Sequence, residues 1–241
     1  MASNRRHRSL SAMLAARRPQ FAERSGLGYL VAIRPGAAVG DRRLSGTLMT
    51  SGLATETRMM HKLLYEVAGE YREHSFPAVF NVSTAGTVPR VHAGLPAGGL
   101  EAFEVLTSQL EAPLVILYVL HTPRGEAPAG RYQSRDFSHF ELKSLLGRFT
   151  AFLCSDSRFD LWVYSPSERA TVVLDRHNQL FAYGPIDRFS SALRSIGYEQ
   201  GAISVDFPHI HQFMPEFDRH SEELLSTLDW IRTDLRPEDE Q

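Results

Sequence analysis

The chain has one cysteine, Cys154, which excludes an internal disulfide and a cysteine-based zinc cage. It has only two lysines, Lys62 and Lys143, among 26 basic residues; so strong an arginine preference reflects GC-rich coding and carries no function. Long apolar runs are missing as well. The longest, residues 113–120, falls far short of the roughly 20 residues that cross a bilayer as a helix. The chain has no Gly-x-Ser-x-Gly elbow, no phosphate-binding Gly-x-x-x-x-Gly-Lys-Ser/Thr loop and no Gly-x-Gly-x-x-Gly fingerprint. Gly94, Gly98 and Gly99 have the wrong spacing for either glycine motif. Ser83 and Thr84 have no identified base, and no repeat of solenoid period occurs. A hydrolase built from paired carboxylates survives these exclusions, because its acids can meet in space from distant positions.

What remains is an ordinary globular composition. At 241 residues, with 43% hydrophobic and 22% charged, the chain can bury a sizeable core. Charge is unevenly placed. Residues 1–45 hold nine arginines against Glu23 and Asp41, a net of +7 that leaves −9 to the remainder. Residues 1–52 show no sustained periodicity and are expected to form a basic disordered tail or an over-long gene start, with an organelle presequence as the alternative. A secretory signal would need an apolar core that is absent. Phosphate contact through the arginines has no interleaved aromatics to support it, so a nucleic-acid partner is not expected. Composition does not shift after residue 52, which predicts a single domain over 53–235 and an acidic, frayed tail over 236–241. The single cysteine fits a cytoplasmic location.

The clearest local pattern is residues 159–185. Three short apolar runs, Leu161–Tyr164, Ala170–Leu174 and Leu180–Tyr183, are separated by turn clusters at 165–168 and 175–178, predicting an antiparallel meander. Upstream, Met59, Leu63, Leu64, Val67 and Tyr71 have helical spacing and predict a helix over Thr55–His74. A strand is expected at Ala78–Val82. A second at Val88–His92 would be an edge strand at best because of Pro89. A helix over Leu100–Leu110 precedes Leu114–His121, a near-continuous apolar run that reads as a strand covered on both faces. Ser134 or Ser138 caps the next helix, with Glu141 completing a capping box for Ser138. Further expectations are a helix from Ile186 to Ile196 capped by Gly197, a strand at Ala202–Phe207, and a C-terminal helix over Pro215–Thr233. Together these predict an α+β fold: a mostly antiparallel mixed sheet, with the meander in its C-terminal half, covered by helices.

The residues with most chemistry lie between 206 and 220. His209 and His211 are two apart, so an extended segment points both imidazoles to one face. Asp206, Asp218 or His220 would supply a third ligand and complete an open site for Zn or Fe. Other polar groups read as structure. His177 sits in a turn and is expected to be solvated. Arg124, Glu126 and Arg131 on or beside the 122–130 loop are expected to face water, with binding of a carboxylate as the alternative. Cys154 reads as a small buried hydrophobe without an activating base. With no catalytic motif, the expected role is a non-enzymatic binding or regulatory protein with a protein partner and no cofactor, of the accessory kind that includes toxin-neutralising proteins. A metal-dependent enzyme, hydrolytic or oxidative, is the alternative.

Overall fold

The computed structural model describes residues 61–84 and 88–239. The basic segment 1–52, the first residues of the helix expected from Thr55 and the last two residues of the turn at 83–86 lie outside them. In chain order the first strands are β1 (Leu63–Val67), β2 (Glu70–Glu73), β3 (Val79–Ser83) and β4 (Arg90–Gly94). Helix α1 (Glu101–Ser108), strands β5 (Leu114–Leu120) and β6 (Gly130–Phe137), and helix α2 (His139–Ser155) follow. The meander is β7 (Phe159–Ser165), β8 (Ala170–Leu174) and β9 (Gln179–Tyr183). After it come α3 (Ile186–Ser195), β10 (Glu199–Gln200), β11 (His209–His211), α4 (Asp218–Thr227) and β12 (Ile231–Thr233).

The described residues form an α+β fold with two open sheets. The larger has nine strands in the order β10-β3-β4-β9-β8-β7-β5-β6-β12, and only the β10–β3 pair is parallel. The smaller is β11-β1-β2, antiparallel throughout. Every residue of β5 is buried, as its sequence predicts. Leu114, Ile116, Tyr118 and Leu120 join a large core with the apolar faces of all four helices. Val115, Leu117 and Val119 alternate to the other face and cluster with Trp162, Tyr164 and Val173.

Helix α2 begins where its capping box predicts. The Ser138 side chain accepts from Glu141 N, and the Glu141 carboxylate accepts from Ser138 N. The competing cap, Ser134, lies in β6, a strand that periodicity does not reveal. There its hydroxyl accepts from Ile116 N at 2.9 Å, filling a shift in the β5–β6 register.

Four expectations fail for identifiable reasons. The helix predicted to run through His74 is the β1–β2 hairpin, because Ala68 and Gly69 both take positive φ (53° and 83°) and make the two-residue turn that joins twisted strands. Pro89 precedes β4 instead of interrupting it, so β4 lies inside the sheet between β3 and β9. Residues 202–207 are not a strand; pairing falls on either side of them, in β10 and β11. The C-terminal helix stops at Thr227. Trp230 then packs its ring near Tyr118 and Tyr132, and β12 pairs with β6, leaving Ile231 exposed.

Gly184 closes the meander with φ of 134°, and a Cβ there would lie 2.5 Å from the Ala170 Cβ. Gly184→Ala is therefore expected to lose about 2 kcal/mol through backbone strain and overlap. Gly147, exposed within α2 with nothing near its Cβ position, provides the opposite case. Gly147→Ala is expected to gain about 0.5–1 kcal/mol. Urea unfolding midpoints at unchanged m-value measure both.

Candidate metal centre

The β8–β9 turn, Asp175-Arg176-His177-Asn178, is organised by its first residue. Asp175 is buried. Its Oδ1 accepts the backbone N–H groups of His177 at 2.9 Å and Gln179 at 2.7 Å. Its backbone carbonyl accepts from Asn178 N at 3.2 Å, and Asn178 takes φ of 59°, a conformation asparagine tolerates. Asp175 Oδ2 lies 2.8 Å from His177 Nδ1. That contact assigns the proton to Nδ1 and leaves the Nε2 lone pair free, the carboxylate–histidine arrangement that orients metal ligands. His177 is thus a mostly buried, oriented imidazole, contrary to the solvated turn histidine that its neighbours in sequence suggest.

Strand β11 supplies the other two. It pairs antiparallel with β1 in the register Leu63↔His211, Leu64↔Ile210 and Tyr65↔His209. Strand alternation turns Ile210 outward, 44% exposed, and sends His209 and His211 to the opposite face. His209 Nδ1 donates to the Phe207 carbonyl at 2.9 Å, which again frees Nε2. His211 Nε2 is buried and has no hydrogen-bond partner among the described residues. A buried ring nitrogen without a partner is uncommon, and here it faces the other two imidazoles with a lone pair available to a ligand.

The three rings meet. Centroid separations are 4.8 Å for His177–His211 and 5.4 Å for both His177–His209 and His209–His211. One ring nitrogen from each falls within 4.8 Å of the others. Tetrahedral zinc with bonds near 2.0–2.1 Å spaces its ligand nitrogens about 3.3 Å apart, a spacing reached by modest ring rotation. Burial, and then the neighbouring His177, His209 and Arg176, push the His211 pKa down to about 3. This imidazole therefore stays neutral, the form that binds a metal. His74 flanks the set, its ring 4.7 Å from that of Phe207, and burial followed by His61 and His209 lowers its pKa.

The structure therefore brings together His209 and His211, but not with the partners expected for them. Asp206 is exposed and lies outside the set. Asp218 sits at the start of α4 and pairs with Arg124 and Arg158. His220 lies against Phe217. The third imidazole is His177, 32 positions before His209. Its sequence signal was the Asp-x-His spacing at 175–177, since an Asp that closes an Asx turn can also orient a ring two residues on.

Two of the residues expected to face water have buried side chains instead. The Glu126 side chain accepts from Arg158 and Ser221, and Arg131 pairs with Asp239. Cys154 is buried as expected, and burial pushes its pKa up to about 12, so it stays a thiol. No family model, no curated protein and no solved structure matches the chain.

Proposed function

We propose that this protein binds a divalent transition metal, zinc foremost, through His177, His209 and His211, leaving a coordination position open. One observation carries the reading: three imidazoles converge, two with Nδ1 engaged by Asp175 and the Phe207 carbonyl, and the third with a buried, unpaired Nε2. Three nitrogen ligands favour zinc over the Fe²⁺ of the two-His-one-carboxylate arrangement, because the acids expected to complete such a set, Asp206 and Asp218, lie elsewhere. A bound ion would retain its full positive charge among neutral ligands and supply Lewis acidity, which suits hydrolysis better than oxidation. The chain's own part is to fix tautomers through Asp175 and Phe207 and to keep His211 unprotonated.

The test is a titration of the full chain with Zn²⁺ and with Co²⁺, followed by elemental analysis after desalting. The expected result is one equivalent retained, with a visible Co²⁺ spectrum of tetrahedral intensity. Less than about a tenth of an equivalent overturns the reading.

A second reading is a non-enzymatic protein that meets its partner through an acidic surface. It is supported by the −9 carried outside residues 1–45 and by the exposed Phe140 and Ile231 side chains. In that case association weakens steeply as salt rises from about 0.05 to 0.5 M, and a salt-insensitive complex contradicts it.

A further inference from the structure

We propose that Lys62 is a positioning residue for the metal centre, holding the His209–His211 strand with its backbone and the His177 turn with its side chain. The inference rests on the metal-binding reading above. Lys62 immediately precedes β1. Its carbonyl accepts from Gln212 N at 2.8 Å, the residue after His211, and from Ser157 Oγ at 2.6 Å. Its side chain runs the other way. Nζ donates to the Asp175 carbonyl at 3.0 Å, so it grips the residue whose carboxylate orients His177. Two of the three imidazoles belong to the small sheet and the third to a turn of the large one. Lys62 touches the support of both halves.

The energetics argue that this lysine has a specific task. It is fully buried, and its ammonium lies 4.4 Å from the centroid of the Phe159 ring. A methionine would fill a similar space without the cost of desolvating a charge. Burial pushes the ammonium pKa down to about 8, while Asp175, Cys154, Asp160 and Asp156 oppose the shift in that order. Being closed off from solvent, its ammonium has no access to a substrate and acts on the site only through Asp175. Losing a group that holds a ligand's support in place weakens metal binding about 10- to 100-fold.

The experiment compares the full chain with Lys62→Met, Lys62→Gln and Ser157→Ala by Co²⁺ titration, visible absorption, and melting of the metal-free proteins. Ser157→Ala removes another bond to Lys62 and leaves the ammonium in place. The expected result is that both Lys62 variants bind Co²⁺ about 10- to 100-fold more weakly, with displaced absorption bands. At least one of them should also melt, metal-free, no lower than the parent, while Ser157→Ala stays within about threefold. Three results overturn the role: Lys62 variants with the parent affinity and spectrum, affinity losses that only follow loss of the metal-free fold, or an equal loss in Ser157→Ala. A parent chain that takes up no Co²⁺ overturns the metal reading itself, and the two failures are told apart by the parent titration alone.

Discussion

His177→Ala, His209→Ala and His211→Ala are each expected to weaken Zn²⁺ binding on the order of a thousandfold, about 4 kcal/mol. The size follows from the ligand count, because an ion that would be held by only three imidazoles loses a third of its protein ligands with each substitution. His177→Ala is the most diagnostic, since His177 reaches the site from the other sheet and owes its orientation to Asp175 at 2.8 Å. Asp175→Asn gives a smaller loss, about 10- to 100-fold, because it removes the orienting acceptor and leaves the ligand. Asp206→Asn and His220→Ala stay within about threefold, as neither side chain belongs to the set. Competition against a chromophoric chelator measures all six. A large loss in His220→Ala with none in His177→Ala would restore the third ligand suggested by sequence proximity and reject the one suggested by the fold.

The contrast between those two histidines shows which parts of the site were legible. His209-x-His211 needed only the two-residue period of a strand, a local rule, and the structure keeps both rings on one face. His177 needed the pairing of β11 with β1 and the approach of the small sheet to the β8–β9 turn, contacts that span more than 30 positions and leave no periodic trace. The same division runs through the fold. The meander, the buried β5 and the Ser138–Glu141 cap are set by neighbours in sequence, and they appear where expected. The β1–β2 hairpin was hidden because Leu63, Val67 and Tyr71 satisfy helical spacing by chance, while the deciding residues were the Ala68-Gly69 turn. β6 and β12 are held by ladder pairing and by Trp230 reaching Tyr118 and Tyr132, both of which are tertiary. The charged loop residues were misjudged because Glu126 finds a cation, Arg158, that lies 32 positions downstream.

Arg158→Met is expected to cost about 3–5 kcal/mol, the largest single loss of stability predicted for this chain. The guanidinium is wholly buried. Nε and Nη2 form a fork on the two Asp156 oxygens at 2.8 Å each, Nη1 meets Glu126 at 3.1 Å, and Nη2 also reaches Asp218 at 2.9 Å and the Met214 carbonyl at 3.3 Å. Methionine fills much of the space but strands the Asp156 and Glu126 side chains without their cation, whereas Asp218 keeps Arg124. Lysine restores the charge without the fork, so Arg158→Lys falls between methionine and the parent.

Acid reveals the mechanism. Burial alone would raise the Glu126 and Asp218 carboxyls. The backbone N–H groups of Glu126 and Arg124, with Arg158 and Ser221, outweigh it at Glu126, and Arg124 and Arg158 outweigh it at Asp218, so both lie below their ordinary values. A depressed carboxyl stabilises the fold fully above its unfolded pKa of about 4, and that contribution is lost as pH falls through the folded value. In the methionine variant the stranded Glu126 gains from protonation instead, so the stability gap to the parent narrows between pH 7 and about pH 3.5. Urea unfolding at the two pH values tests this, and a gap that stays constant would reduce the effect to lost packing. Because Asp156 also accepts from Met214 N at 3.0 Å, just past β11, the same substitution loosens the strand that carries His209 and His211. It should therefore lower Zn²⁺ affinity as well, by less than loss of a ligand does.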